Sequence, residues 1–202
     1  MTPGGNGAEM PDLGYKLEID PLDLGAGAKG VGFELIERST REPVRGSDAG
    51  RIWGASLSAI AAGEPWALDF FAHIDRVRDY CTRREIEFRQ AASRSLVIPA
   101  TELAPDALAG LVERFAAETF GARAGGSLPA EDPVLEGTLS SSGVDAYAPV
   151  IDSYVFCAVC DFENGFLTLL TNRLSSEEVI RSLQPALKKL SLNVDIVRAE
   201  AA

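Results

Sequence analysis

Histidine is almost missing from this chain: one residue in 202, beside three cysteines and two tryptophans. A single His cannot build a three-histidine zinc site, and three Cys without regular spacing do not make a disulfide scaffold. They read as reduced, buried thiols of a cytoplasmic protein. No apolar run approaches the roughly 18 residues a membrane span requires. The opening MTPGGNGAEMPDLG has neither a basic nor an apolar stretch, so no secretory signal is expected. Lysine is also scarce, confined to Lys16, Lys29, Lys188 and Lys189, while Arg, Ala and Gly are plentiful. That bias points to a bacterium with a GC-rich genome.

What is abundant is acid. Thirty acidic residues against 19 basic ones leave a net charge of -11 and a sequence pI near 4.6. Such a surface favours solubility and repels nucleic acid and anionic membrane. The apolar share of 46% and charged share of 24% are those of an ordinary globular protein, long enough to bury a sizeable core.

Hydrophobic periodicity divides the chain into a mobile Gly/Pro-rich tail at 1–13, an N-terminal ββαβ region at 14–94 and a C-terminal region at 95–202. Tyr15, Leu17 and Ile19 alternate with polar residues as a strand does, ending at Pro21, and a second strand carries Val31, Phe33 and Leu35. Residues 39–50 read as loop. Trp53, Leu57 and Ile60 share a helix face, and a second helix beginning at Pro65 carries Phe70, Ile74, Val77 and Cys81. Strands are expected over 85–89 and 96–98, and then a helix through Leu108, Leu111, Val112 and Phe115. The Gly-, Ser- and Pro-rich stretch 121–150 reads as a loop insertion. Beyond it, Asn164-Gly165 separates two apolar runs, a hairpin signal. Ser175-Ser-Glu-Glu178 is a capping box before a helix that Pro185 should kink or split. A final strand carries Val194, Ile196 and Arg198.

The order from Leu96 is βαββαβ. The predicted fold is therefore α+β, with a ferredoxin-like sandwich in the C-terminal part and an N-terminal ββαβ extension.

Motifs for chemistry are weakly supplied. Gly25-Ala-Gly-Ala-Lys-Gly30 matches G-x-G-x-x-G but runs into a strand, not the helix a pyrophosphate site needs. Cys157 and Cys160 match C-x-x-C, yet residues three apart on a strand point to opposite faces. His73 lacks a nucleophile partner, with only Asp69 a helical turn away. Asp161 and Glu163 flank the hairpin turn without a calcium-loop pattern. No catalytic residue, metal site or cofactor is assigned.

The charge is unevenly spread. Residues 76–94 hold Arg76, Arg78, Arg83, Arg84, Arg89 and Arg94 against Asp79, Glu85 and Glu87, a net of +3 inside a remainder of -14. This Arg strip, with Arg76, Arg83, Arg84 and Arg89 as its binding candidates, suits carboxylate or phosphate recognition, or an acidic surface of another protein or copy. Tyr80 and Phe88 lie within it and could stack on bases, but the net charge disfavours nucleic acid. The expected function is a non-enzymatic interaction module: a subunit, adaptor, chaperone or inhibitor of a larger bacterial assembly, binding a protein partner or itself, with no membrane role. The alternative is a small-anion-binding or enzymatic α+β domain with an Arg/carboxylate-lined pocket.

Overall fold

In the computed structural model, residues 14–23, 29–91, 95–125 and 151–199 are described. The chain opens with the alternating strands expected from its sequence. β1 (Tyr15–Asp23) and β2 (Lys29–Glu37) pair antiparallel along their whole length. Pro21 does not end β1; it stays in register opposite Val31. The odd-numbered N–H groups of β1 point to the far side, where the neighbouring strand has already ended at Ile19↔Arg198. A proline there removes no ladder bond.

Helix α1 (Gly46–Ala61) comes next, starting well before the expected Arg51. β3 (Trp66–Phe70) then replaces the first part of the expected second helix, and α2 begins only at Ile74 and ends at Arg83. The Trp-Ala-Leu-Asp-Phe run is buried at every position, as a central strand with two covered faces must be. The expected strand at 85–89 shrinks to β4 (Arg89–Ala91), which pairs with β5 (Ser95–Pro99). α3 (Pro105–Arg114) leads into β6 (Phe120–Ala124), so the stretch read as loop from 121 begins as a strand. Its small residues hid it, for Phe-Gly-Ala-Arg-Ala has almost no β-branched signal. The remainder of the predicted insertion and the 1–13 tail lie outside the described residues.

β7 (Phe156–Asp161) and β8 (Phe166–Leu170) form the expected hairpin, but over a four-residue turn rather than a two-residue one. Only Gly165 adopts positive φ there, at 79°, and a Cβ on it would fall 2.8 Å from the Leu35 carbonyl oxygen. α4 (Ser176–Lys188) has the predicted capping box and runs uninterrupted through Pro185. β9 (Val194–Arg198) is the last strand, parallel to β1.

All nine described strands belong to one sheet in the order β4-β5-β3-β6-β7-β8-β2-β1-β9. The class is mixed α+β. The four-stranded ferredoxin-like order expected for 95–202 is not reproduced. β3 lies between β5 and β6, and β2 and β1 lie between β8 and β9. The N-terminal strands enter the C-terminal sheet because β2 pairs directly with β8, from Gly30↔Leu170 to Glu34↔Phe166. A βαββαβ order leaves edges open to such insertion, and periodicity within one strand carries no information about its neighbour.

The four described helices lie on one sheet face. α1 packs between α3 and α4 and closes on α3 where Gly50 meets the Ala109 backbone. Beneath them, Trp53 stacks on Phe162 at 4.6 Å, and Phe70 contacts Phe115 and Phe120. Cys81 and Cys160 join this core. On the opposite face the halves differ. Over β5, β3, β6 and β7 the side chains of Ser95, Val97, Ala67, Asp69, Arg123 and Cys157 are buried. Over β8, β2, β1 and β9 the described face is the more open half: Glu18, Gly32, Glu34 and Thr168 are half-buried, and Asp20, Phe166 and Val197 are exposed.

Candidate functional site

Strand pairing dictates what the open half-face presents. Successive side chains alternate between faces, so every residue aligned with Glu34 of β2 shares its side. Across the sheet this gives one row: Val197, Glu18, Glu34, Phe166 and Asp161. The next row runs through Asp20, Gly32 and Thr168. Phe166 at 45% and Val197 at 37% exposure are the exposed large hydrophobic side chains among the described residues. Both fall in the first row, Phe166 between Glu34 and Asp161 and Val197 at the edge beside Glu18.

The surface is dished. Gly32 contributes no side chain, and Leu22 leans over it, 3.4 Å from where a Cβ would sit. Glu18, Asp20, Leu22, Glu34, Phe166 and Thr168 rim a depression of about 350 Å³. Glu18 and Glu34 face each other directly across the β1–β2 ladder, a like-charge arrangement that weakens a sheet. Lys16 pairs with Glu18, and Arg38 pairs with Asp195, so one end of the face is neutralised. Asp20 and Glu34 have no hydrogen-bond or ion-pair partner among the described residues. The row signal is present in the sequence as Glu18 and Glu34 in alternating strands, but the pairing that places them opposite each other beside Phe166 is tertiary.

The residues singled out from sequence do not converge. Arg76 of α2 pairs with Glu118 at 3.0 Å. Arg83 donates to the Asp79 carbonyl, and Arg89 of β4 pairs with Glu87. Arg84, at the end of α2, lies over the Tyr80 ring at 4.9 Å. Each of these arginines is thus engaged by a different local group. Of the four, Arg84 opens onto a depression, about 300 Å³, shared with Tyr80, Gly110, Glu113 and Arg114. Arg94 lies outside the described residues. His73 caps α2 in a left-handed conformation, φ 51°, with Nε2 3.4 Å from Glu118.

One buried polar cluster escaped the sequence reading. Arg123 of β6 sets Nε 3.0 Å from Asp69 Oδ2, donates from Nη2 to Oδ1 at 3.2 Å, and donates from Nη1 to the Tyr154 hydroxyl at 3.2 Å. Burial works against the Arg123 charge, but Asp69 and Tyr154 outweigh it and hold its pKa above the ordinary arginine value. With side-chain exposures of 2% and 3%, the two charges neutralise each other inside the protein.

Cys157 and Cys160 are reduced thiols on opposite faces, and burial pushes the Cys160 thiol well above its usual value. Residues 25–28 of the Gly-rich motif lie outside the described residues, and the chain after them enters β2 rather than a helix. Among the described residues, no three His, Cys, Asp or Glu side chains converge to hold a metal ion. No helix among them is long and apolar enough to cross a membrane. No family model, curated protein or solved structure matches the chain significantly.

Proposed function

We propose that the chain is a non-enzymatic interaction module, a subunit, adaptor, chaperone or inhibitor of a larger assembly, and that the open half-face is its docking surface. One observation carries the reading: the exposed hydrophobics Phe166 and Val197 share a row with the half-buried Glu18, Glu34 and Asp161 on the more open half of the sheet face. Exposed apolar side chains set among charges mark interaction surfaces more often than catalytic ones. The buried, reduced thiols of Cys81, Cys157 and Cys160 suit a reducing compartment such as the bacterial cytoplasm.

A photo-crosslinking phenylalanine analogue at position 166, irradiated in a host-cell extract, tests the reading. A discrete crosslinked species is expected from position 166, lost on adding Glu34→Lys and absent when the analogue replaces exposed Glu102. Crosslinking at 166 no stronger than at 102 would remove the basis for a docking face.

A second reading has its own observation. Arg84, Arg114 and Tyr80 line a depression beside Gly110 with one carboxylate, Glu113, an arrangement whose two guanidinium groups suit a phosphate or carboxylate group. Thermal stabilisation by inorganic phosphate, abolished by Arg84→Ala, is its expected signature, and an unchanged melting temperature counts against it.

A further inference from the structure

Given that the open half-face is a docking surface, we infer that its occupant is a cationic amphipathic helix of a partner protein. The occupant's form is set by what a sheet face offers. The backbone groups of β8, β2 and β1 are used within the sheet, so the face presents side chains and no free N–H or C=O ladder. A chain laid across it must satisfy its own backbone, and a helix does this internally while a lone extended strand does not. The other face of this same sheet is covered by helices.

The spacing agrees. Val197 and Phe166 stand on β9 and β8, three strand intervals apart, about 14 Å at the usual spacing of ~4.8 Å. Two to three helical turns span that distance, so apolar side chains from one helix face reach both anchors and the Gly32 depression between them. The partner's charge is set by Asp20 and Glu34, which lack partners among the described residues, while Asp161 at the end of the row already accepts from Asn164 Nδ2 at 3.0 Å. Lysine or arginine flanking the apolar stripe would pair with Glu34, whose cross-strand neighbour Glu18 is already held by Lys16.

A second copy of this chain does not meet the requirement. Two such faces brought together by a two-fold axis would oppose acid to acid. Acidic face to Arg strip would be head-to-tail contact, which continues into fibres unless it closes into a ring.

Fluorescence anisotropy with three labelled peptides of about 18 residues tests this, since a helix of that length, ~27 Å, covers the row. The first places Leu and Lys in helical period, the second alternates Leu and Lys strictly, and the third replaces Lys of the first by Glu. At about 0.15 M salt, where exposed charges beyond ~8 Å are screened, saturable one-to-one binding of the first peptide is expected. The second and third should bind at least ~10-fold more weakly. Glu34→Lys and Phe166→Ser should each weaken the first peptide by a similar factor, and Glu102→Lys should not. Unchanged circular dichroism of each variant secures the comparison. Equal or tighter binding of the alternating peptide overturns the helix while leaving the docking face intact. Preference for the Glu peptide, absence of binding, or indifference to Glu34→Lys and Phe166→Ser overturns the inference outright. Absence of binding with position 166 still crosslinking assigns the failure to the partner chemistry. Absence of both assigns it to the docking face.

Discussion

At the residue scale, the energetics concentrate in a few polar groups placed where water is excluded. Asp69 and Arg123 are the clearest case. Removing one member leaves the other charged in a dry interior, so Arg123→Leu should cost about 3–5 kcal/mol in urea unfolding. A loss below ~1 kcal/mol would show that the pair is not structural. Tyr15 behaves differently. Its hydroxyl donates to Asp48 Oδ2 at 2.6 Å, and that bond, with burial and the neighbouring negative charges, raises its pKa from 10.0 to about 12. The protonated phenol is the favoured form. Its stabilising contribution is therefore complete below pH 10.0 and fades as pH climbs toward about 12. Tyr15→Phe should abolish this component of the alkaline stability loss, measured by thermal melts across that range. An identical alkaline profile in the variant would refute the assignment. Neither pair was readable from sequence, because the partners stand 54 and 33 positions apart.

At the element scale, local chemistry was legible wherever an element ends on a distinctive side chain. Ser175 and Glu178 form the capping box that their spacing announces, and β1, β2 and β9 alternate as read. The errors fall where an element is apolar on all sides or built from small residues. The fully buried run of β3 carries no strand period, and Gly121, Ala122 and Ala124 of β6 give no strand signal, so neither strand is legible in the sequence. Asn164-Gly165 marks the turn, while its four-residue length is set by the Asp161↔Phe166 pairing. Gly50 shows a contact that only packing discloses: an added Cβ would fall 2.4 Å from the Ala109 carbonyl oxygen. In an isolated helix, Gly→Ala stabilises by about 0.8–1.0 kcal/mol. Here Gly50→Ala should instead lower the melting temperature, since α1 must withdraw from α3. A rise in melting temperature would show that the two helices adjust freely.

At the scale of the whole molecule, the net charge of -11 acquires a location. Part of it is set on the sheet face that carries the two exposed hydrophobics, with Glu18 opposite Glu34. Such opposition lowers stability, and surfaces shaped for partners often carry this kind of cost. Glu34→Gln should therefore raise the unfolding free energy by about 0.2–1 kcal/mol while weakening the cationic helical peptide. A destabilised Glu34→Gln would mean that the carboxylate serves the fold rather than a partner. The Arg strip, prominent in the sequence, is dispersed into local pairs with Glu118, Asp75 and Glu87. Arg83 and Arg84 are engaged instead by the Asp79 carbonyl and the Tyr80 ring.

By itself, the sequence determined the mixed class, the alternating faces of the outer strands, the capping box of α4 and the opposite facing of Cys157 and Cys160. These are short-range properties, set by backbone geometry within a few residues. The tertiary structure decided which strands are neighbours, and with that which side chains share a surface. The β2–β8 pairing joined the two halves of the chain in one sheet and set Glu34 beside Phe166. Strand order depends on contacts between distant segments competing for the same core, and no single strand encodes the outcome in its own pattern.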